Sequence, residues 1–263
     1  MRDFYKKHKN ALQNLPRLGL GRIYKVRVKA ILLDFGDTLV SFEDFDYETS
    51  LTTLHQTLVE NGILVLYEKF KKTYFEVRDQ LYREGDSSFK EFNFCVRVSR
   101  VLNEFGFNLN PTDPRIISSV EAFMRPLIKS LKLEEHVPMV LQELKKKYRL
   151  GLVSNFAYPP TIKQTLRKFG LSKFFDAVVI SGDIGWRKPS PKIFEKALRA
   201  LHVSASEAVF VGDAPFHDIA GAKQVGMKTV LLRRLGERET VDTRNPDEII
   251  SGLEELLMIL QDC

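Results

Sequence analysis

The chain has 263 residues, a formal net charge of +6, 44% hydrophobic residues and 28% charged residues. That balance belongs to a folded protein with a full-sized core, not to a disordered chain, and no apolar run approaches the roughly 20 residues of a membrane span. Two cysteines, Cys95 and Cys263, make neither a disulfide framework nor a paired-cysteine metal site, which removes structural zinc and dithiol chemistry.

The chain begins with a basic extension, residues 1–28. Residues 1–29 hold nine Lys and Arg against Asp3, a balance of +8, so the remaining 234 residues sum to −2. The positive charge therefore belongs to the arm, and a basic nucleic-acid-binding body is not expected; contacts of the arm with an acidic partner or RNA are the remaining route. The arm has no apolar block followed by a small-residue cleavage site, so it does not read as a secretory signal and a cytoplasmic location is expected.

The first strand follows at Ala30-Ile31-Leu32-Leu33, ending on Asp34. From 44 to 133 strand signals vanish and helical spacing takes over. Leu51, Leu54 and Leu58 share one face before an Asn61-Gly62 stop. Ser88 and Glu91 have the spacing of a capping box ahead of Phe94, Val98, Val101 and Phe105, and Asp113-Pro114 opens a helix carrying Ile117, Val120 and Met124. After that, apolar runs at 150–153, 177–180, 208–211 and 229–232 each lead through a turn into an amphipathic stretch. This alternation predicts a parallel sheet with crossover helices, both faces covered. Four of the five strands run into Asp34, Ser154, Ser181 and Asp213. In open α/β sheets ligands bind beyond the carboxyl ends of the strands, so these tips are expected to share a crevice.

The tips carry compatible chemistry. Asp34 lies in Leu33-Asp34-Phe35-Gly36-Asp37-Thr38-Leu39, a glycine-loosened turn that can present a carboxylate. Ser154 and Asn155 offer a hydroxyl, an amide and main-chain N–H groups to an oxyanion or phosphoryl oxygen. Lys188, fixed by the following Pro189, can neutralise charge on a transferring group. Asp213 and Asp218 bring hard oxygen ligands without His or Cys, the donor set of Mg²⁺. Each residue alone also reads as a turn, cap or surface residue.

Taken in order, these segments resemble the four motifs of the haloacid dehalogenase superfamily: the nucleophile loop at Asp34, the Ser/Thr motif at Ser154, the Lys motif at Lys188 and the acidic motif from Gly212-Asp213 to Asp218. Lys188-Pro189-Ser190-Pro191 and Asp218-Ile219-Ala220-Gly221-Ala222 add to the likeness, which runs from about 28 to 260. The resemblance implies an α/β fold: a Rossmann-like, three-layer parallel-sheet core at 29–43 and 134–263, with an all-helical cap of the subfamily I kind inserted at 44–133. It implies an enzyme, a Mg²⁺-dependent phosphatase acting on a small phosphorylated metabolite. Asp34 would form an aspartyl-phosphate; Asp34, Asp213, Asp218 and the carbonyl of Gly36 would hold the metal; Ser154, Asn155 and Lys188 would hold the phosphoryl group.

One position departs from the pattern. Family phosphatases usually carry a second aspartate two residues after the nucleophile, where this chain has Gly36, and Asp37 does not obviously replace it. General acid–base help is worth about 10²–10⁴ in rate, so its loss falls hardest on poor leaving groups. Three remedies are open: a substrate with a good leaving group; a substitute acid such as Glu43, Asp44, Asp46, His55 or Asp37; or a weakly catalytic protein that mainly binds a phospholigand or partner. His55 reads as a packed helix residue and His217 as a helix-start residue, and Trp186 fits the cleft entrance or packing equally. A metal-independent 2-haloacid dehalogenase is the alternative enzyme, disfavoured because Asp213 and Asp218 beside an attacking carboxylate make sense mainly with a cation between them.

Overall fold

The computed structural model describes residues 28–86, 88–233 and 246–260. The predicted basic extension lies outside the described residues apart from Val28, as does Cys263. In chain order the elements are β1 (Ala30–Leu33), β2 (Val40–Phe42), α1 (Tyr47–Glu60), α2 (Tyr67–Asp86), α3 (Phe94–Asn103), α4 (Pro114–Ser130) and β3 (Leu131–Leu133). There follow α5 (Val137–Lys145), β4 (Arg149–Ser154), α6 (Pro159–Lys168), β5 (Ala177–Ile180), α7 (Ser181–Ile184) and α8 (Pro191–Leu201). The last are β6 (Ala208–Gly212), α9 (Gly221–Gln224), β7 (Lys228–Leu232), β8 (Glu248–Ile250) and α10 (Leu256–Ile259).

Alternation along β1 explains its place. Ile31 and Leu33 enter one apolar cluster while Ala30 and Leu32 enter another, because successive strand side chains point to opposite faces. β6 does the same, with Val209 and Val211 on the first face and Ala208 and Phe210 on the second. These eight residues are essentially inaccessible, the condition of central parallel strands covered on both sides. The sheet order is β5-β4-β1-β6-β7-β8, every pair parallel. It is the Rossmann-like, three-layer α/β arrangement that the apolar runs predict, and the strand order reverses between β1 and β6, where such sheets form their ligand crevice.

Three short strands have no counterpart in the sequence reading. β2 and β3 pair antiparallel outside the main sheet, and β8 adds a sixth strand beside β7. Each has three residues with a polar one among them, Val-Ser-Phe, Leu-Lys-Leu and Glu-Ile-Ile, so none shows an apolar run. β8 is held by pairing and by Asp247, whose carboxylate accepts from the N–H and hydroxyl of Thr229.

Helices α1 to α4 gather a separate apolar cluster that includes Leu54, Phe70, Tyr74, Val98 and Phe123. α1 buries Leu51, Leu54 and Leu58 as predicted and ends at Asn61, with Gly62 left-handed at φ 82°. Asp113 caps α4 through the Arg115 N–H, with Pro114 in the first turn. The Ser88–Glu91 capping box does not form. Instead α3 starts at Phe94, and the Asn93 side chain accepts from the Cys95 N–H. The 88–91 segment pairs with the main chain before Lys188: Glu91 N–H donates to the Gly185 carbonyl, and Arg187 N–H to that of Phe89. Among the described residues no helix is long and apolar enough to cross a membrane.

Candidate active site

At the tip of β1 the Asp34 N–H still bonds to the Val211 carbonyl of β6 at 2.9 Å, so its side chain sits over the strand reversal. Lys188 arrives from the loop before α8 and places Nζ 2.5 Å from Asp34 Oδ1 and 2.6 Å from Asp218 Oδ1. Asp213 completes the group: one carboxylate oxygen from each of Asp34, Asp213 and Asp218 lies within 4.8 Å of the others. The structure thus brings together four side chains drawn from three separate stretches of sequence. Asp34 keeps 12% of its side chain accessible, so a ligand can reach it.

Three carboxylates and one ammonium in a buried place leave an excess of negative charge. Burial, with Asp218 and Asp213 alongside, pushes the Asp34 carboxyl up to about 7 despite the pull of Lys188. Asp213 is likewise raised, by burial and then by Asp218, against the hydroxyl it accepts from. Burial alone would drive Lys188 down, but Asp218 and Asp34 hold its ammonium above the ordinary lysine value. A donor set of hard oxygens with surplus negative charge fits a divalent cation, which would return Asp34 to its carboxylate form.

Neighbouring groups hold these side chains in place. The Asn155 amide clamps the main chain of Lys188: Nδ2 donates to its carbonyl at 3.0 Å and Oδ1 accepts from its N–H at 2.7 Å. His217 Nδ1 lies 3.1 Å from the same carbonyl, and burial lowers its imidazole below the usual value. Thr38 Oγ1 donates to Asp213 Oδ1 at 3.0 Å. Asp218 folds back so that Oδ2 accepts from the Ala214 N–H at 3.0 Å, and a Cβ on Gly212 would overlap that carboxylate. Gly212→Ala is therefore expected to fold but to lower turnover about 10²-fold by displacing Asp218, measured as kcat with and without added divalent metal.

Other predicted positions fall as follows. Ser154 is buried at the end of β4, two residues past Leu152, which pairs with Leu33 of β1. Gly36 forms a bridge with Val40, next to the ring of Phe42. The substitute acids suggested by sequence are engaged away from the cluster: Glu43 with Lys132, Asp46 as the α1 cap, and His55 on the Val65 carbonyl. Asp37 and Asp44 are surface turn residues in left-handed conformation. Trp186 carries Lys192 over its ring, 3.3 Å from the centroid.

Sequence reasoning missed Thr38, although it lies four residues after Asp34 in the same loop. It also missed a pocket of about 420 Å³ beside the cluster, whose lining includes Tyr82, Glu91, Arg97, Asn155, Arg187 and His217. Glu91 accepts from Ser181 Oγ at 3.0 Å, and burial raises its carboxyl.

Comparison with known proteins agrees with this geometry. A family model described as "Haloacid dehalogenase-like hydrolase" matches residues 31–232. A glyceraldehyde 3-phosphate phosphatase from Methanopyrus kandleri is 32% identical over 244 residues, covering 89% of this chain and 98% of that protein. A 2-haloacid dehalogenase structure from Pseudomonas syringae superposes with TM-score 0.66 at 28% identity, covering 89% of this chain and 98% of that one. The structure of a HAD phosphatase from Thermococcus onnurineus gives TM-score 0.61 at 26% identity, covering 89% and 99%. With its strand tips, its sheet order and the match across most of its length, the chain belongs to the haloacid dehalogenase-like hydrolases.

Proposed function

We propose that this protein is a Mg²⁺-dependent phosphatase that hydrolyses a small phosphomonoester, with 29–43 and 134–263 as its catalytic core and 44–133 as a cap beside the cleft. One observation carries the reading: Lys188 Nζ sits between Asp34 and Asp218, with the Asp213 carboxylate completing the cluster, at the strand reversal. Attack on carbon needs only a carboxylate, whereas three clustered acids need a cation and suit a phosphate ester. The names of the Methanopyrus and Thermococcus relatives favour the same choice over the dehalogenase.

Bound by Asp34, Asp213, Asp218 and the carbonyl of residue 36, Mg²⁺ would supply positive charge against the substrate's anionic oxygens. Asp34 then attacks phosphorus, forming an acyl phosphate as the P–O ester bond breaks and its electron pair leaves with the alcohol oxygen. Water attacks that phosphorus, releasing inorganic phosphate and restoring the carboxylate. Lys188 orients Asp34 and favours its ionised form, and Asn155 acts through Lys188 by fixing its main chain. The Ser154 hydroxyl, at the neighbouring strand end, would hold a phosphoryl oxygen.

The test is turnover of p-nitrophenyl phosphate with Mg²⁺, abolished by EDTA. Release of chloride from 2-chloropropionate without metal, and no phosphate release, would instead make the chain a dehalogenase. Gly36→Asp examines the missing acid. An ideal Cβ at 36 lies 3.1 Å from the Phe42 ring, which is 40% exposed and free to yield, so the variant should fold. We expect it to raise kcat on alkyl phosphates by about tenfold or more and on aryl phosphates much less, because only the alkoxide needs protonation. Equal effects on both would show that protonation does not limit the rate.

A further inference from the structure

Among the described residues a buried guanidinium on α3 makes no ion pair with an acid at contact distance. Arg97 is 7% exposed; Nη1 donates to Tyr74 Oη at 3.2 Å, and Nε has no hydrogen-bond partner. Burial holds the Tyr74 phenol well above the usual tyrosine value, so this partner is uncharged at neutral pH. The rings of Phe94, Tyr82 and Tyr74 lie 4.8, 5.5 and 5.8 Å from the guanidinium carbon. Ring faces soften a cation's field without supplying a counterion. Among the described residues no carboxylate is ion-paired to Arg97. Of the two acids lining the pocket, Asp86 pairs with Arg187 and Glu91 gives Oε2 to Ser181, feeling the charge of Arg97 without an ion pair at contact distance. A buried charge left in this state is costly unless something else pairs with it.

The pocket it lines offers a place for such a group. Arg97 lines the pocket beside the carboxylate cluster, and three other lining residues are chain neighbours of the site itself: Asn155 follows Ser154, Arg187 precedes Lys188 and His217 precedes Asp218. Arg187 is ion-paired to Asp86 at 2.5 Å, which leaves Arg97 as the pocket-lining guanidinium with no ion pair to a carboxylate among the described residues. We propose that Arg97 sets substrate class. It pairs with a second anionic group, a carboxylate or a second phosphoryl, on a small molecule whose first phosphoryl group meets Asp34. The part played by Asp34 rests on the phosphatase reading; the anion pocket does not.

The experiment separates the two by measuring binding without turnover. In Asp34→Asn with Mg²⁺, calorimetry compares 3-phosphoglycerate, pyrophosphate and glycerol 3-phosphate, the last having a neutral far end. A doubly anionic ligand should bind at least about 30-fold tighter than glycerol 3-phosphate. The 3-phosphoglycerate and pyrophosphate arms tell carboxylate from phosphoryl. Adding Arg97→Gln should collapse the preference to within about threefold, and Arg97→Lys should keep part of it. No preference in the parent, or a preference unchanged by Arg97→Gln, overturns the inference. If Arg97→Gln does not fold by near-ultraviolet circular dichroism, Arg97→Lys decides, since an undiminished ratio there is equally fatal. Anion preference without Mg²⁺-dependent turnover of any phosphate ester by the unmutated protein would leave the pocket standing and sink the phosphatase.

Discussion

Replacing Asp34 by asparagine is expected to lower turnover at least about 10⁴-fold and, in metal-free protein at pH 8, to raise the melting temperature. The first effect follows from removing the nucleophile, since an amide oxygen cannot form the acyl phosphate. The second follows from charge. The folded Asp34 carboxyl sits near 7, well above an unfolded aspartate, so the native state holds this proton more tightly. Its contribution is favourable below about pH 4 and is lost as pH rises through 7, where the carboxylate must ionise beside Asp213 and Asp218. Asparagine escapes that penalty. Differential scanning fluorimetry in EDTA should therefore show a gain of several degrees at pH 8 and a much smaller one at pH 4, at about 2–4 °C per kcal/mol for a domain of 150–250 residues. A loss of stability at pH 8, or retained turnover, would contradict the assignment. Function and stability oppose one another at this residue, as they do where a site gathers like charges before its ligand arrives.

Lys188→Met is expected to have the largest effect on folding. The ammonium is buried with Asp34 on one side and Asp218 on the other, and methionine fills similar space with no charge. Removing one partner of a buried ionic group leaves uncompensated charge and costs about 3–5 kcal/mol. Here the deficit should depend on metal: a divalent cation among the three acids takes over part of the neutralisation, so the loss in urea unfolding should be large in EDTA and clearly smaller with Mg²⁺. Equal losses in both would mean that the carboxylates do not share a cation. Turnover should fall in either case.

Much of the core and its cluster could be read from sequence because both are written in local pattern. Five strands announce themselves as apolar runs, and polar residues at their tips mark where a crevice must lie. Thus Asp34 and Asp213 stand out as strand-tip carboxylates, whereas Lys188 and Asp218 are read through the resemblance to the haloacid dehalogenase motifs. What failed was whatever depends on how one element turns toward another. Ser88 and Glu91 have capping-box spacing, yet Glu91 turns to Ser181 across the cleft and Asn93 caps α3. Arg97 has no signal in the sequence pattern that marks it for burial among rings. The acids Glu43 and Asp46 lie near Asp34 in sequence, but their partners are Lys132 and the start of α1.

The central position of β1 also governs how the molecule is assembled. Thr38 and Asp213 are 175 residues apart in sequence and Asp34 and Lys188 are 154 apart, so β1, the first strand among the described residues, waits for partners made much later. At about 5–20 residues per second, its flanks stay vacant on the ribosome for a time on the order of ten seconds. The nascent polypeptide thus carries a greasy segment, Ala-Ile-Leu-Leu, through most of translation, while the helices of 47–130 can already pack on one another. Such non-local closure slows folding and invites aggregation, so recovery of active material from a heterologous host should respond to growth temperature and chaperone supply.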